Sequence, residues 1–339
     1  MALPQNQTNA AVASGPASAV AATRRIPAWT NWVIGVQGPL VGLVLLCVVF
    51  SLSTNVFFSV RNALNILDQV TVLGILSLGM TAVIVTGGID LSVGSVLALS
   101  MMVMGWVRQS FGVPLPIGIV FALITGSACG LVNGLLVTRA KLPPFIATLT
   151  MMSIARGLAN IVTDGRQIVG YPDWFDGLST IRHFGFLSVT VALFIVLVIG
   201  GWISLRYRAV GRSLYAIGGS PEVARLAGIR VRRLISSVYI GSGILSAVAA
   251  IALAARLDSS QPSAGLGSEL DAIAAVVIGG ASLSGGVGGI GGTVVGVLII
   301  GVLHNGLNLL GVSPFIQQVV IGVVIALAVT SDTLRRRES

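Results

Sequence analysis

The sequence predicts an all-α polytopic membrane protein of about ten transmembrane helices, some short or broken at Gly-rich segments, with both termini inside (N-in/C-in). Three observations predict it. Hydrophobic residues make up 55% of the 339 positions and charged residues only 9%, whereas a soluble domain charges roughly a quarter of its residues. Apolar runs of the ~20 residues that a spanning helix needs recur along the chain, without the short alternating segments of an outer-membrane barrel. Forty-three glycines suit helices that approach closely through small residues, where lipid tails give no hydrophobic drive for association.

In chain order, residues 1–28 are rich in Ala, Ser, Thr, Gln and Asn, carry only Arg24 and Arg25, and read as a disordered cytoplasmic tail. The first apolar run follows Trp32 without a convincing cleavage site, so a removable signal peptide is not expected. Ten spans follow, at 33–52, 66–86, 91–109, 115–138, 145–162, 187–205, 234–255, 270–285, 289–310 and 315–331. The second, third, eighth and ninth border glycine breaks and are expected to be short, bent or re-entrant. Together they form a membrane domain over 29–334, with a cytoplasmic tail at 335–339.

With the N-terminus inside, fourteen of the twenty Lys and Arg fall on the cytoplasmic side, notably Arg139, Lys141, the cluster within 206–233 and Arg335, Arg336 and Arg337. Arg61, Arg108, Arg166, Arg182 and Arg256 fall outside, and Arg156 lies within the membrane. That asymmetry is the positive-inside rule, and Trp29, Trp32, Trp106 and Trp202 at span ends suit interfacial anchors. The net charge of +9 is therefore a product of topology and does not point to nucleic acid. Cys47 and Cys129 sit in apolar runs without metal-ligand spacing, and no metal site is expected.

One phrase occurs twice: Gly87-Gly88-Ile89-Asp90-Leu91-Ser92 and Gly279-Gly280-Ala281-Ser282-Leu283-Ser284. Paired breaks at corresponding places in two membrane regions point to a translocation path, because unwound backbone in a bilayer needs a polar cavity or protein neighbours. Asp90 lies in the first break, where a bilayer-centre charge costs about 2.5–3.5 kcal/mol on insertion scales. Two roles are open to it: holding the broken backbone near the path together with Ser92, or capping the third helix at the membrane edge. Arg156 needs a carboxylate or carbonyls, and Asp68, Asp164, Glu269 and Asp271 are the carboxylates within reach of helix ends. Asn133, Asn305 and Asn308 serve either as interhelical hydrogen-bonding groups or as weak contacts for a neutral polyhydroxyl solute. His304 lacks an evident carboxylate ladder for a proton relay. The run Gly285-Gly286-Val287-Gly288-Gly289-Ile290-Gly291-Gly292 has no preceding strand and no following Lys, which excludes a phosphate loop and favours close helix crossing.

The inner loop 206–233 contains a short helix with proper ends at 220–228. Ser220 is the N-cap, Pro221 the first helical residue, Glu222 sits at the positive end of the dipole, and Gly228 closes the helix. Val223, Leu226 and Ala227 share a face, while Glu222 and Arg225 stand three apart. So short a helix is marginal alone, so it either rests on anionic lipid or inserts into a partner protein. The outer loop 163–186, with Asp173, Trp174 and Asp176, is either a docking surface or a solvated loop.

The phrase Gly211-Arg212-Ser213-Leu214-Tyr215-Ala216-Ile217-Gly218-Gly219 through Ala224-Arg225-Leu226-Ala227-Gly228-Ile229 resembles the coupling region of ribose-type ABC importer permeases. Thr86-Gly87-Gly88-Ile89-Asp90-Leu91-Ser92-Val93-Gly94-Ser95, Leu142-Pro143-Pro144-Phe145-Ile146-Ala147-Thr148-Leu149 and the run from Glu269 to Gly280 resemble the same family, in its order. The resemblance covers roughly 40–330. It implies a bacterial inner-membrane permease for a monosaccharide or similar solute, paired with a second permease subunit as a homo- or heterodimer. It further implies two cytoplasmic ATPase subunits, which would bind ATP and Mg, and a periplasmic sugar-binding protein. The residues agree that this chain carries no such nucleotide site: its single lysine, Lys141, follows Ala140, whereas a Walker A loop needs Gly-Lys-Ser/Thr. The chain is not expected to be an enzyme, having no metal pair, nucleophile motif or carboxylate dyad in its spans. The rival reading is an ion-coupled secondary transporter, which also uses broken helices.

Overall fold

The computed structural model describes residues 28–337, and side chains over 38–327 and at 330. The expected N-terminal tail and the side chains of Trp29, Trp32, Arg335, Arg336 and Arg337 lie outside the described residues.

Local chemistry sets the helix ends. α1 (Ala28–Ser53) is followed by α2 (Val60–Val85), whose N-cap Ser59 accepts the Asn62 amide at 3.2 Å. α3 (Val93–Phe111) stops at Gly112 in the left-handed region, and α4 (Leu115–Thr138) and α5 (Pro144–Ile161) both carry proline in the first turn, where its missing N–H is harmless. The outer loop folds rather than staying irregular: Ile168–Val169 (β1) pairs antiparallel with Ser259–Ser260 (β2), and Asp173–Thr180 forms α6. α7 (Val189–Tyr207), capped by Ser188, leads to α8 (Ala209–Gly219), α9 (Pro221–Leu226) and α10 (Val231–Leu257). α11 (Ser268–Ile278), α12 (Ile290–Leu309) and α13 (Pro314–Arg337) complete the chain.

Among the described residues, five helices are long and apolar enough to cross a membrane: α2, α4, α7, α10 and α12. The eighth expected span, 270–285, is short, in keeping with its glycine border, and its bounds are corrected. α11 has eleven residues, about 16 Å, roughly half of a ~30 Å hydrocarbon core, and the chain leaves the helix at Gly279. Hydropathy continues through the glycines while the hydrogen-bond ladder does not. The inner loop is corrected too, since α8 precedes the anticipated short helix.

α2, α3 and α10 form the centre, and α3 is buried over most of its length, packed on α4, α5 and α10. The tightest seam is between α4 and α10. A Cβ at Gly126 or Gly130 would overlap the Gly243 or Tyr239 carbonyl, and one at Gly134 would lie 2.8 Å from the Ser236 Cα. Glycines every four residues put backbone against backbone where a side chain would hold the helices apart.

Candidate functional site

The first break begins where α2 ends. Gly87 adopts φ +81°, which lets the chain reverse, and the Gly88 amide closes on the Val83 carbonyl at 3.0 Å. The chain then runs back beside α10 to Asp90, which is 2% exposed. One carboxylate oxygen accepts the Ser92 amide at 3.0 Å and its hydroxyl at 2.6 Å; the other accepts the Ser242 hydroxyl of α10 at 2.8 Å. Asn133 on α4 donates to the Ser92 hydroxyl at 2.9 Å, and Thr148 on α5 donates to the Ile89 carbonyl at 3.1 Å. Asp90, Ser92 and Asn133 are thus brought together as an enclosed brace that ties three helices to unwound backbone. Ser242 carries no signal in sequence, being an ordinary hydroxyl residue far along the chain, and Thr148 stands there only within the phrase from Leu142 to Leu149 with no role attached.

The second break, residues 279–289, lies directly against the first. The Gly286 amide donates to the Val85 carbonyl at 2.9 Å, joining the two breaks by backbone alone. Both also meet the end of α8. A Cβ at Gly218 would overlap the Val85 carbonyl oxygen and the Gly286 nitrogen, and one at Gly285 would sit 2.9 Å from the Gly218 oxygen and the Gly87 Cα. One turn back, the Tyr215 hydroxyl donates to the Gly288 carbonyl at 2.8 Å. Three segments widely separated in sequence therefore share one joint of glycine backbone.

α9 continues from that joint. Ser220 accepts the Val223 amide at 3.3 Å, Pro221 opens the helix, and Gly228 at φ +81° closes it while the Ile229 amide reaches the Ala224 carbonyl at 3.0 Å. Only Ala224 is buried. Val223 is 64% and Leu226 87% exposed, and Ala227 lies exposed beside them. Glu222 and Arg225 are not ion-paired; among the described residues the ion pairs are Arg182–Asp68 and His304–Asp271. Arg212, on α8, donates to the Tyr207 carbonyl at 3.3 Å.

Arg156 takes carbonyls as hydrogen-bond partners, donating to Pro262 at 2.6 Å and Ala264 at 2.8 Å. They belong to an irregular stretch, 261–267, whose Gly265 backbone presses on that of Gly94. Of the four candidate carboxylates, Asp68 pairs with Arg182 and Asp271 with His304. Beside Arg156, the exposed face of α5 carries Thr150, Ser153, Gly157 and Asn160 at helical spacing. Their polar groups fold back on carbonyls of their own helix, Thr150 at 2.9 Å, Ser153 at 3.3 Å and Asn160 at 2.8 Å.

Asn305 forms a reciprocal amide pair with Asn62 of α2, at 2.8 and 2.9 Å, and is buried. Asn308 accepts from Gln317 of α13 at 2.9 Å. His304 stands 3.1 Å from Asp271, a single carboxylate partner that the sequence did not single out for it. The Asn62–Asn305 pair sets a measurable expectation: a double-mutant cycle to alanine yields a coupling of about 0.6 kcal/mol or more, up to about 1.7 kcal/mol, the mean and upper values of such cycles for interhelical hydrogen bonds in a membrane protein. Additive single effects in denaturant midpoints would show the pair to be idle.

Comparison with known proteins adds what geometry alone leaves out. The sequence profile of a family described as "Branched-chain amino acid transport system / permease component" matches residues 62–329. The chain is 48% identical over 300 residues to the ribose import permease protein RbsC of Bacillus subtilis, covering 87% of this chain and 92% of that one. It is 42% identical over 309 residues to the RbsC of Escherichia coli K12, covering 90% and 95%. To the fructose import permease protein FrcC of Rhizobium meliloti it is 39% identical over 308 residues, covering 88% and 85%. No solved structure is significantly similar to it.

Proposed function

Because the chain belongs to the permease-component family of branched-chain amino acid transport systems, and within it to the ribose-type permeases of ABC importers, we propose that it moves a monosaccharide or similar small polyhydroxyl solute inward, driven by a separate ATPase engaged at 220–228. It is a multi-pass inner-membrane protein of sugar transport. The observation that carries the coupling is the glycine joint at Gly218. A push on the exposed Val223 and Leu226 passes through the six residues of α9 into α8, and from α8 into both breaks without a flexible side chain between.

The residues take these roles. Ser220, Pro221, Glu222 and Gly228 hold α9 in shape, Val223, Leu226 and Ala227 enter the ATPase, and Arg225 and Arg212 flank the contact. Asp90, Ser92 and Asn133 keep the first break in register. Arg156 faces the path with Thr150, Ser153 and Asn160 of α5, where a second permease subunit, the same chain or a homologue, supplies the opposite wall. Hydroxyls already turned onto their own helix offer a sugar weak contacts, which suits a solute that must leave quickly. Asn305 and Asn308 hold the α2–α12 and α12–α13 contacts. A periplasmic sugar-binding protein would deliver the solute, and ATP with Mg would bind the two ATPase subunits. Residues 29–334 form the permease domain, flanked by cytoplasmic tails at 1–28 and 335–339, with N-in and C-in orientation.

The alternative, an ion-coupled secondary transporter, draws on the His304–Asp271 pair. Sealed vesicles separate the two. Importer function requires labelled sugar to accumulate only with internal ATP, the ATPase subunits and the binding protein present. Accumulation driven by a proton or sodium gradient without them would overturn the assignment. Leu226→Asp tests the coupling contact: burying a leucine in a partner is worth about 1.5–3 kcal/mol, so uptake should fall at least about tenfold with normal membrane insertion. Uptake at the wild-type rate would remove α9 from the coupling role.

A further inference from the structure

A cavity of about 490 Å³ opens between the end of α7, the middle of α8 and the start of α12. Its walls include Trp202, Arg206, Tyr207, Arg212, Tyr215 and Ile290, with the glycine backbone of 288–291. From the charge and lining of this cavity, we infer that it holds the phosphate headgroup of an anionic phospholipid. The inference is independent of the transport reading above, because it concerns what the resting protein binds.

Four features converge. Arg206 and Arg212 both line the cavity, and among the described residues neither is in an ion pair; Arg212 gives one N–H to the Tyr207 carbonyl at 3.3 Å, so two positive charges meet one space without a carboxylate to neutralise them. α12 starts there with Gly289 as its N-cap and no side chain capping it, so its first amides and the positive end of its dipole face the same space. Trp202 and Tyr207, stacked edge to face at 5.1 Å between centroids, are the aromatic pair expected at the level of lipid headgroups. The cavity also opens at the foot of the exposed apolar face of α7, where Val196, Ile199 and Ile203 continue away from the arginines. A free phosphate satisfies the first two features and leaves the aromatic rim and apolar track unused. A zwitterionic lipid brings its own cation to a site already carrying two positive charges. An anionic phospholipid fits all four, its diester against the arginines and its acyl chains along α7.

The position has a consequence. Tyr215, in the cavity wall, is the residue that bonds the Gly288 carbonyl of the second break, so an occupied cavity buttresses α8 against that break.

The test uses the full chain, purified in mild detergent and stripped of lipid. Phosphatidylglycerol, phosphatidylcholine or inorganic phosphate is added while the unfolding temperature and bound lipid, by native mass spectrometry, are followed. Phosphatidylglycerol should raise the unfolding temperature and remain bound; phosphatidylcholine and inorganic phosphate at equal concentration should do neither. Arg206→Gln with Arg212→Gln should weaken phosphatidylglycerol binding about thirtyfold, as expected for two basic residues at an anionic surface. A measurement that leaves both arginines in place guards against misfolding of that variant. Phosphatidylglycerol brominated near its headgroup should quench a fluorescence component that Trp202→Phe removes. Equal retention of both lipids, protection by inorganic phosphate alone, full affinity in a folded double-Gln variant, or quenching unchanged by Trp202→Phe would each overturn the proposal.

Discussion

Gly218→Ala should abolish sugar uptake, and Gly219→Ala, one residue away, should leave it intact. The first added methyl has no space, since it would overlap the Val85 carbonyl oxygen and the Gly286 nitrogen, both backbone atoms that no rotamer change can move. The second meets nothing within 4 Å. Overpacking of this kind costs about 1–3 kcal/mol and is relieved only by separating α8 from the two breaks. Alanine at 219, the last residue of α8, exchanges glycine for a better helix former, a gain of at most about 0.5–1 kcal/mol. Both variants should be read in vesicles containing the ATPase and binding protein, with ATP hydrolysis followed alongside uptake. A joint that transmits force predicts hydrolysis without uptake for Gly218→Ala. Normal uptake by that variant would mean that the backbone contact is incidental, and equal loss in both would point to a general intolerance of the α8 end.

Asp90→Ala should be the most destabilising polar substitution in the described residues. It strips the acceptor from the Ser92 amide, the Ser92 hydroxyl and the Ser242 hydroxyl in a place closed to water. A buried donor left unpaired costs about 1–3 kcal/mol, and the three together should lower stability by about 3–5 kcal/mol, allowing for partial relaxation. Asp90→Asn separates acceptor geometry from charge. Its carbonyl oxygen can keep the two Ser92 bonds and its amide can donate to a rotated Ser242 hydroxyl, so most of the stability should return. Unfolding by graded denaturant in mixed micelles reads both. A loss below about 0.5 kcal/mol for Asp90→Ala would fall within the range of ordinary surface substitutions and would sink the brace. An asparagine variant as damaged as alanine would show that the charge, and not the acceptor pattern, is what the site requires.

Much of this architecture was legible in residues 60–309, for different reasons at different places. The two glycine phrases announced the breaks because glycine in an apolar run is a backbone statement, and both breaks are there. The ends of α9 were readable because capping is a short-range code, complete within Ser220 to Gly228. α8 was missed because Gly211, Gly218 and Gly219 look like helix breakers; Gly211 and Gly218 are there for close contact, against Leu205 in one case and the breaks in the other. α11 was drawn too long because hydropathy records solvent preference and not whether a carbonyl four residues back is still in reach. The partners of Asp90, Arg156 and Asn305 depended on chain segments 152, 106 and 243 residues away, and no local pattern encodes such meetings. For Arg156 the choice between a carboxylate and carbonyls was open in sequence, and the fold supplies two carbonyls from an irregular stretch that reads as plain loop.

The seam of Gly126, Gly130 and Gly134 against α10 has a further bearing on how such a protein changes shape. Side-chain interfaces can slide by swapping rotamers, but two main chains in van der Waals contact offer no such slack. α4 and α10 must therefore travel as a single slab, and any cycle of opening and closing has to be hinged at its borders. Spin labels on the outward faces of those two helices would keep a constant separation throughout the cycle, even as labels elsewhere move apart.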